Sequence, residues 1–190
     1  MLTTFNHDIE QCVEILKKGG LILYPTDTVW GIGCDATNPT AATKIYSLKK
    51  RVETKAMIVL VADPKDLLKY TASPDLSIID HLATKQKPTT VIYEGAIGLA
   101  PNIIAPDGTI AMRITKDDFC RHLIKRFRKP IVSTSANFSG YPTPPTFDKI
   151  DTEIKNAVDY VVHYRRDDNR ESVPSTVIMW KNGRETIIRP

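Results

Sequence analysis

The sequence is poor in the residues that usually mark a metal or disulfide centre. Its three cysteines, Cys12, Cys34 and Cys120, are odd in number and lack C-x-x-C spacing, which excludes a disulfide framework and a zinc knuckle as organising features. Its four histidines, His7, His81, His122 and His163, stand singly. No GxxxxGK[ST] loop, kinase-type glycine loop, HExxH or GxSxG occurs, so a Walker-type ATP site, zincin chemistry and a nucleophile elbow are not expected. No stretch approaches the roughly 18 apolar residues of a membrane span. The opening MLTTFNHDIEQ has neither the basic flank nor the apolar core of a signal peptide, and a cytoplasmic protein is expected. Charge of one sign is also modest: 26 Lys and Arg against 22 Asp and Glu leave +4, compatible with anionic ligands or RNA and demanding neither.

What is present suits one soluble domain over residues 1–190, with 42% hydrophobic and 25% charged residues and no repeat, low-complexity tract or linker. Residues 24–35 read YPTDTVWGIGCD directly after the apolar Leu21-Ile22-Leu23, the pattern of a buried strand that must then leave its sheet. Ligands sit outside that end in open α/β sheets. Pro25 stiffens the exit, Thr26, Asp27 and Thr28 offer hydroxyls and a carboxylate, and Gly31 and Gly33 permit close backbone approach. A turn before a capped helix gives the same composition.

The remaining chain alternates helices and strands. Asn6 is expected to cap a helix with Ile9, Cys12, Val13 and Leu16 inward, ended by Gly19; Asn38-Pro39 starts a second with Ala42, Ile45 and Leu48 inward. A strand over 57–61 is followed by Asp63-Pro64 and Ser73-Pro74 as the starts of two helices, with Leu67, Leu68, Leu76, Ile79 and Leu82 facing the core. Strands are expected at 89–93 and 109–114, then a helix capped by Thr115 with Phe119, Leu123 and Phe127, then a strand at 131–134. After the loop STSANFSGYPTPPT come a helix around Ile150, Ile154 and Val158, a strand over 160–163, and a polar, mobile stretch, RRDDNRE. The final hairpin, 175–180 with 185–189, turns at Asn182-Gly183.

Three constellations carry chemistry. Lys49-Lys50-Arg51 with Lys55 stands between a helix end and a strand; it complements a helix dipole or clamps phosphate. Thr109 and Arg113 share one face of a strand, where an arginine needs an anionic ligand or an internal carboxylate. Ser133, Ser135 and Asn137 alternate and line a pocket or build a turn.

These segments together resemble the YrdC/TsaC family, the L-threonylcarbamoyladenylate synthases, over essentially the whole chain. The matching motifs are YPTDTVWGIGCDA (24–36), LKKR (48–51), TIAMR (109–113), VSTSANFSG (132–140), PST (174–176) and IIR (187–189). The resemblance implies an α/β fold, a twisted open mixed sheet with flanking helices around a basic concave cavity. It also implies a nucleotidyltransferase that joins L-threonine, bicarbonate and ATP, with Mg²⁺ carried on the nucleotide and no protein metal site. The product, threonylcarbamoyl-AMP, would feed the transferase complex that makes N6-threonylcarbamoyladenosine at position 37 of tRNA. By the same resemblance Thr28, Arg113, Ser133 and Ser175 hold threonine. Arg51, Lys55, Thr109, Ser135, Asn137, Thr143 and Arg189 hold ATP, and Lys49 and Arg51 are the catalytic cations. Departures fall at Val52, at Ala56-Met57, at Leu60, where longer relatives carry histidine, and at Lys87-Pro88-Thr89-Thr90.

Every reactant is anionic or becomes so, and catalysis by positioning and fixed positive charge fits these residue types. Two other readings stay open: a module binding tRNA or double-stranded RNA, and a paralogue with another carbamate or acyl acceptor.

Overall fold

In the computed structural model, which describes residues 4–50, 57–170, 173–181 and 183–190, helix spacing is met first in α1 (Asn6–Lys17). It buries Ile9, Cys12, Val13 and Leu16, while its cap is Phe5, with no side-chain cap bond, rather than Asn6. Gly19, at φ +71°, turns the chain out. Helix α2 (Pro39–Lys49) starts as expected: Asn38 is extended and its side chain accepts from the Ala41 N–H at 3.1 Å. It ends at Lys50 in the left-handed region, φ 51°.

Strand β1 (Ile22–Tyr24) leads into β2 (Gly31–Gly33), and β3 (Ile58–Val61) follows α2. Two short helices, α3 (Leu67–Tyr70) and α4 (Ser77–Thr84), precede β4 (Thr89–Tyr93) and β5 (Ile110–Ile114). Helix α5 (Asp118–Phe127), β6 (Ile131–Ser135), α6 (Thr152–Ala157) and β7 (Tyr160–Val161) come next, and β8 (Thr176–Lys181) with β9 (Arg184–Arg189) forms the antiparallel terminal hairpin.

Several expected boundaries move, each for a local reason. Asp63-Pro64 opens a 3₁₀ turn, Pro64–Asp66, ahead of α3. Helix α4 starts at Ser77 instead of Ser73-Pro74, because the Asp75 carboxylate takes the Ser77 N–H at 3.0 Å and its hydroxyl at 2.6 Å. That rotation exposes Leu76 and buries Ile78, and Leu68 is exposed while Leu67 is buried. Thr115 is not the cap of α5. Asp117 is, accepting from the Cys120 N–H at 2.9 Å, and Thr115 is still turning out of β5. The expected RRDDNRE strap is anchored where it is described: the Arg165 guanidinium donates to Asp117 at 2.8 Å, to Asp168 at 3.3 Å and to the Thr26 carbonyl at 3.2 Å.

The strands form one mixed sheet in the order β7-β1-β2-β6-β3-β5-β4-β8-β9. The pairs β1 with β7, β3 with β5 and β4 with β8 are parallel, and the others antiparallel. Helix α5 buries Phe119, Cys120, Leu123, Ile124 and Phe127 and lies along α1, where Phe5 meets Phe119 edge-on at 5.5 Å. Each large side chain so buried contributes about 1.5–3 kcal/mol. Cys12, as expected, and Cys120 pack inside these helices, and burial pushes both thiols up, out of reactive range. Register places Ile58 beside both Ala111 and Ser133. With a period of two, Arg113 projects on that same face, and it is there that the sheet carries its polar groups. No helix among the described residues is long and apolar enough to cross a membrane.

Candidate active site

The β1 exit is folded by its own threonines. Thr26 Oγ1 accepts from the Thr28 N–H at 3.0 Å and donates to the Val29 carbonyl at 2.7 Å, with Thr28 Oγ1 2.9 Å away. The loop thereby curls back so that Gly31 pairs with Tyr24. The short strand β2, GIG, is the element the sequence reading left inside the loop, since glycine carries little strand preference. Its glycines act as expected. A Cβ on Gly33 would lie 2.6 Å from the Tyr24 ring and 2.9 Å from the Val132 carbonyl, and one on Gly31 would lie 3.1 Å from Ser133 Oγ. Behind the loop, Cys120 Sγ donates to the Pro25 carbonyl at 3.4 Å.

In front of it lies a cavity of about 270 Å³. Thr28, Arg113, Ser133, Ser135, Thr143, Ser175 and Arg189 line it, so seven expected site residues from five separate segments meet in one place. Val29, Met57, Ile58, Ala111 and Val177 supply an apolar wall, and no carboxylate is among its described lining residues. A wider space of about 670 Å³, bounded by Asp27, Trp30, Lys87 and Arg165, shares Thr28, Val29, Pro174 and Arg189 with it and so adjoins it.

Two guanidiniums set its electrostatics. Arg113 is 3% exposed; its Nη2 donates to Asp27 Oδ1 at 2.9 Å and Thr28 Oγ1 at 3.2 Å, and its buried Nε has no partner among the described residues. The internal carboxylate and the ligand pocket, alternatives in the sequence, are thus both present on one arginine. Arg189 donates to the Ser175 carbonyl at 2.8 Å. Burial first, and then the charge of Arg113, draw its proton affinity down. An anion between them would relieve that repulsion. Ser175 is itself fixed by Thr90, Oγ to Oγ1 at 2.8 Å.

The other expected residues stand elsewhere. The Lys49 ammonium is buried and donates to the Ser135 carbonyl and, at 2.6 Å, to the Asn137 carbonyl, so in this structure it secures the loop after β6. The Asn137 amide serves the same loop, donating to the Phe138 and Tyr141 carbonyls at 3.0 and 2.7 Å. Thr109 donates to Asp107 at 2.7 Å and lines a separate cleft of about 250 Å³ with Tyr93, Glu94 and Met179. Arg51 and Lys55 lie outside the described residues. Sequence reasoning missed Thr90 and the partner of Asp27, both of which depend on strands far apart in the chain.

The fold and the cavity define an α/β protein that gathers two arginines and a ring of hydroxyls around an anion-sized space. Its lineage follows from comparison: the chain belongs to the Sua5/YciO/YrdC family, described as "Telomere recombination", whose pattern matches residues 14–190. A chain from Methanocaldococcus jannaschii is 34% identical over 186 residues, 95% of this chain and 86% of that one. A Photobacterium profundum protein named threonylcarbamoyl-AMP synthase is 33% identical over 78% of this chain and 80% of its own length. Among solved structures, Sua5 from P. abyssi complexed with L-threonine superposes with a TM-score of 0.84 at 23% identity. That match covers 97% of this chain and 54% of the longer P. abyssi chain.

Proposed function

We propose that this protein is a threonylcarbamoyl-AMP synthase acting through one YrdC-like domain, residues 1–190. The observation that carries the reading is Arg113, buried in the wall of a cavity whose described lining residues include no carboxylate, with a second guanidinium, Arg189, lining the same space. An α-amino acid carboxylate meets Arg113. The hydroxyls of Thr28, Ser133 and Ser175 orient the amine and side-chain hydroxyl, and the apolar wall receives the methyl group. The amine nitrogen adds to the carbon of bicarbonate with loss of water, giving a carbamate. A carbamate oxygen then attacks the α-phosphorus of ATP, and the bond to the β-phosphate oxygen breaks to release pyrophosphate.

ATP lies along Ser135, Thr143 and Arg189 at the cavity and along Arg51 and Lys55, with Mg²⁺ on the triphosphate; Thr109 and Asn137, which stand outside the cavity, join it only if the nucleotide reaches beyond that space. Lys and Arg charge, Lys49 and Arg51 included, stabilises the phosphoryl transition state. The adenylate passes in the cytoplasm to the transferase complex that modifies adenosine 37 of tRNA. The matching relative named threonylcarbamoyl-AMP synthase supports this reading.

Purified protein is expected to release pyrophosphate from ATP only with L-threonine and bicarbonate together, and far more slowly with L-serine, since about 1–3 kcal/mol rides on one methyl group. Release indifferent to L-threonine, or tRNA binding without turnover, overturns the reading.

A further inference from the structure

We propose that Asp27 is a positioning residue for the substrate carboxylate, acting by fixing the plane of the Arg113 guanidinium. This rests on the reading above that Arg113 meets that carboxylate. Asp27 stands outside the lining of the inner cavity, in the wider space that adjoins it, and its two oxygens are divided between two tasks. Oδ1 takes Nη2 of Arg113 at 2.9 Å, and Oδ2 accepts the Thr115 hydroxyl at 3.3 Å and the Lys116 N–H at 3.4 Å. Thr115 Oγ1 accepts in turn from the Asp117 N–H at 3.2 Å, and Asp117 caps α5 and holds Arg165, which grips the Thr26 carbonyl. The chain of bonds closes on itself: from Thr26 through Arg165, Asp117 and Thr115 to Asp27, the next residue after Thr26.

An arginine in a strand has long, freely rotating torsions, and one hydrogen bond to an anchored carboxylate removes the rotation of its terminal group. The consequence is visible at Arg113 Nε. A buried N–H without a partner costs free energy, and a guanidinium free to turn would find one. Thr28 Oγ1 and Asp27 Oδ1 keep Nη2 occupied and hold the guanidinium in the wall of the cavity, which Arg113 lines. Asp27 also offsets one of the two positive charges there, so a single added carboxylate completes the balance with Arg189.

The test compares Asp27→Asn, Asp27→Glu and Thr115→Val with the unmodified protein. Losing a charge-assisted bond that orients the ligand's partner raises KM for L-threonine on the order of ten- to a hundredfold in Asp27→Asn. Turnover at saturation and KM for ATP should stay within about threefold, because neither uses the Asp27 bond to the guanidinium. Thr115→Val shifts KM in the same direction by less, the double variant Asp27→Asn/Thr115→Val shows no further shift, and Asp27→Glu recovers most of the loss.

A threonine KM unchanged in Asp27→Asn, or a fall in turnover alone, overturns the proposal while leaving the synthase reading intact. Should the unmodified protein lack threonine-dependent turnover, the synthase reading fails and ¹⁵N-arginine spectra still decide. Restricted Arg113 Nη signals that become averaged in Asp27→Asn support the positioning role, and identical signals in both proteins overturn it.

Discussion

Replacing Lys49 by methionine separates a holding role from a catalytic one. The ammonium is buried and makes bonds to the carbonyls of Ser135 and Asn137, while the Lys49 carbonyl accepts from the Ser139 N–H at 3.0 Å. Methionine keeps the packing of the stem and deletes only the charge and its donors. A hydrogen bond to a charged group contributes about 1.5–3 kcal/mol. Both carbonyls belong to partly buried residues, and taking each bond at the low end puts their sum near 3 kcal/mol. At about 2–4 °C per kcal/mol for a chain of this size, Tm is expected to fall by roughly 6–12 °C. Calorimetry at neutral pH measures it, and faster amide exchange in the loop after β6 should accompany it. A Tm within about 2 °C of the unmodified protein, combined with lost turnover, would place the ammonium's work on the substrate and refute the holding role.

Gly33→Ala should cost about 3 kcal/mol, because its Cβ meets the buried Tyr24 ring and the Val132 carbonyl, which is backbone and cannot turn away; an unchanged urea midpoint contradicts that crowding. Asp8 links α1 to the end of β7. Burial pushes its carboxyl up, but N–H bonds from His163 and Tyr164 and the Tyr160 hydroxyl outweigh this and hold it below its ordinary 3.8. A depressed pKa contributes stability that is present above the unfolded value of about 3.9 and is lost as pH falls through the folded one. Asp8→Ala should therefore be less stable at pH 7 and lose less on acidification below about pH 4 than the unmodified protein, and parallel acid limbs in urea titrations would contradict the link.

Local chemistry was legible and distant pairing was not. Asn38-Pro39 announces itself because a cap acts within four positions, and α2 starts there; the strands expected on either side of Asn182-Gly183 pair as β8 with β9, while Asn182 itself lies outside the described residues. Thr115 was mistaken for the cap of α5 because threonine and aspartate two residues apart offer the same acceptor, and only the geometry of the strand exit chooses between them. Asp27 carried no readable role in the sequence, as its partners at Arg113, Thr115 and Lys116 come from β5 and the turn after it. The site hydroxyls were found from the motif, yet their convergence depends on five segments that only the sheet order brings together.

The hairpin that supplies Arg189 is also the rim of the sheet. Among the described residues strand β9 has a neighbour on one side only, its Ile187 and Ile188 are more than half exposed, and its register with β8 slips between Val177 and Ile178. Outer strands of this kind open locally at a lower free energy than the interior. The second guanidinium therefore leaves the cavity whenever β9 frays, while the remaining sheet stays folded. Loss of Arg189 from the cavity is therefore expected at a lower temperature than loss of the sheet, and amide exchange in β9 set against calorimetry of the whole chain would read the gap between them.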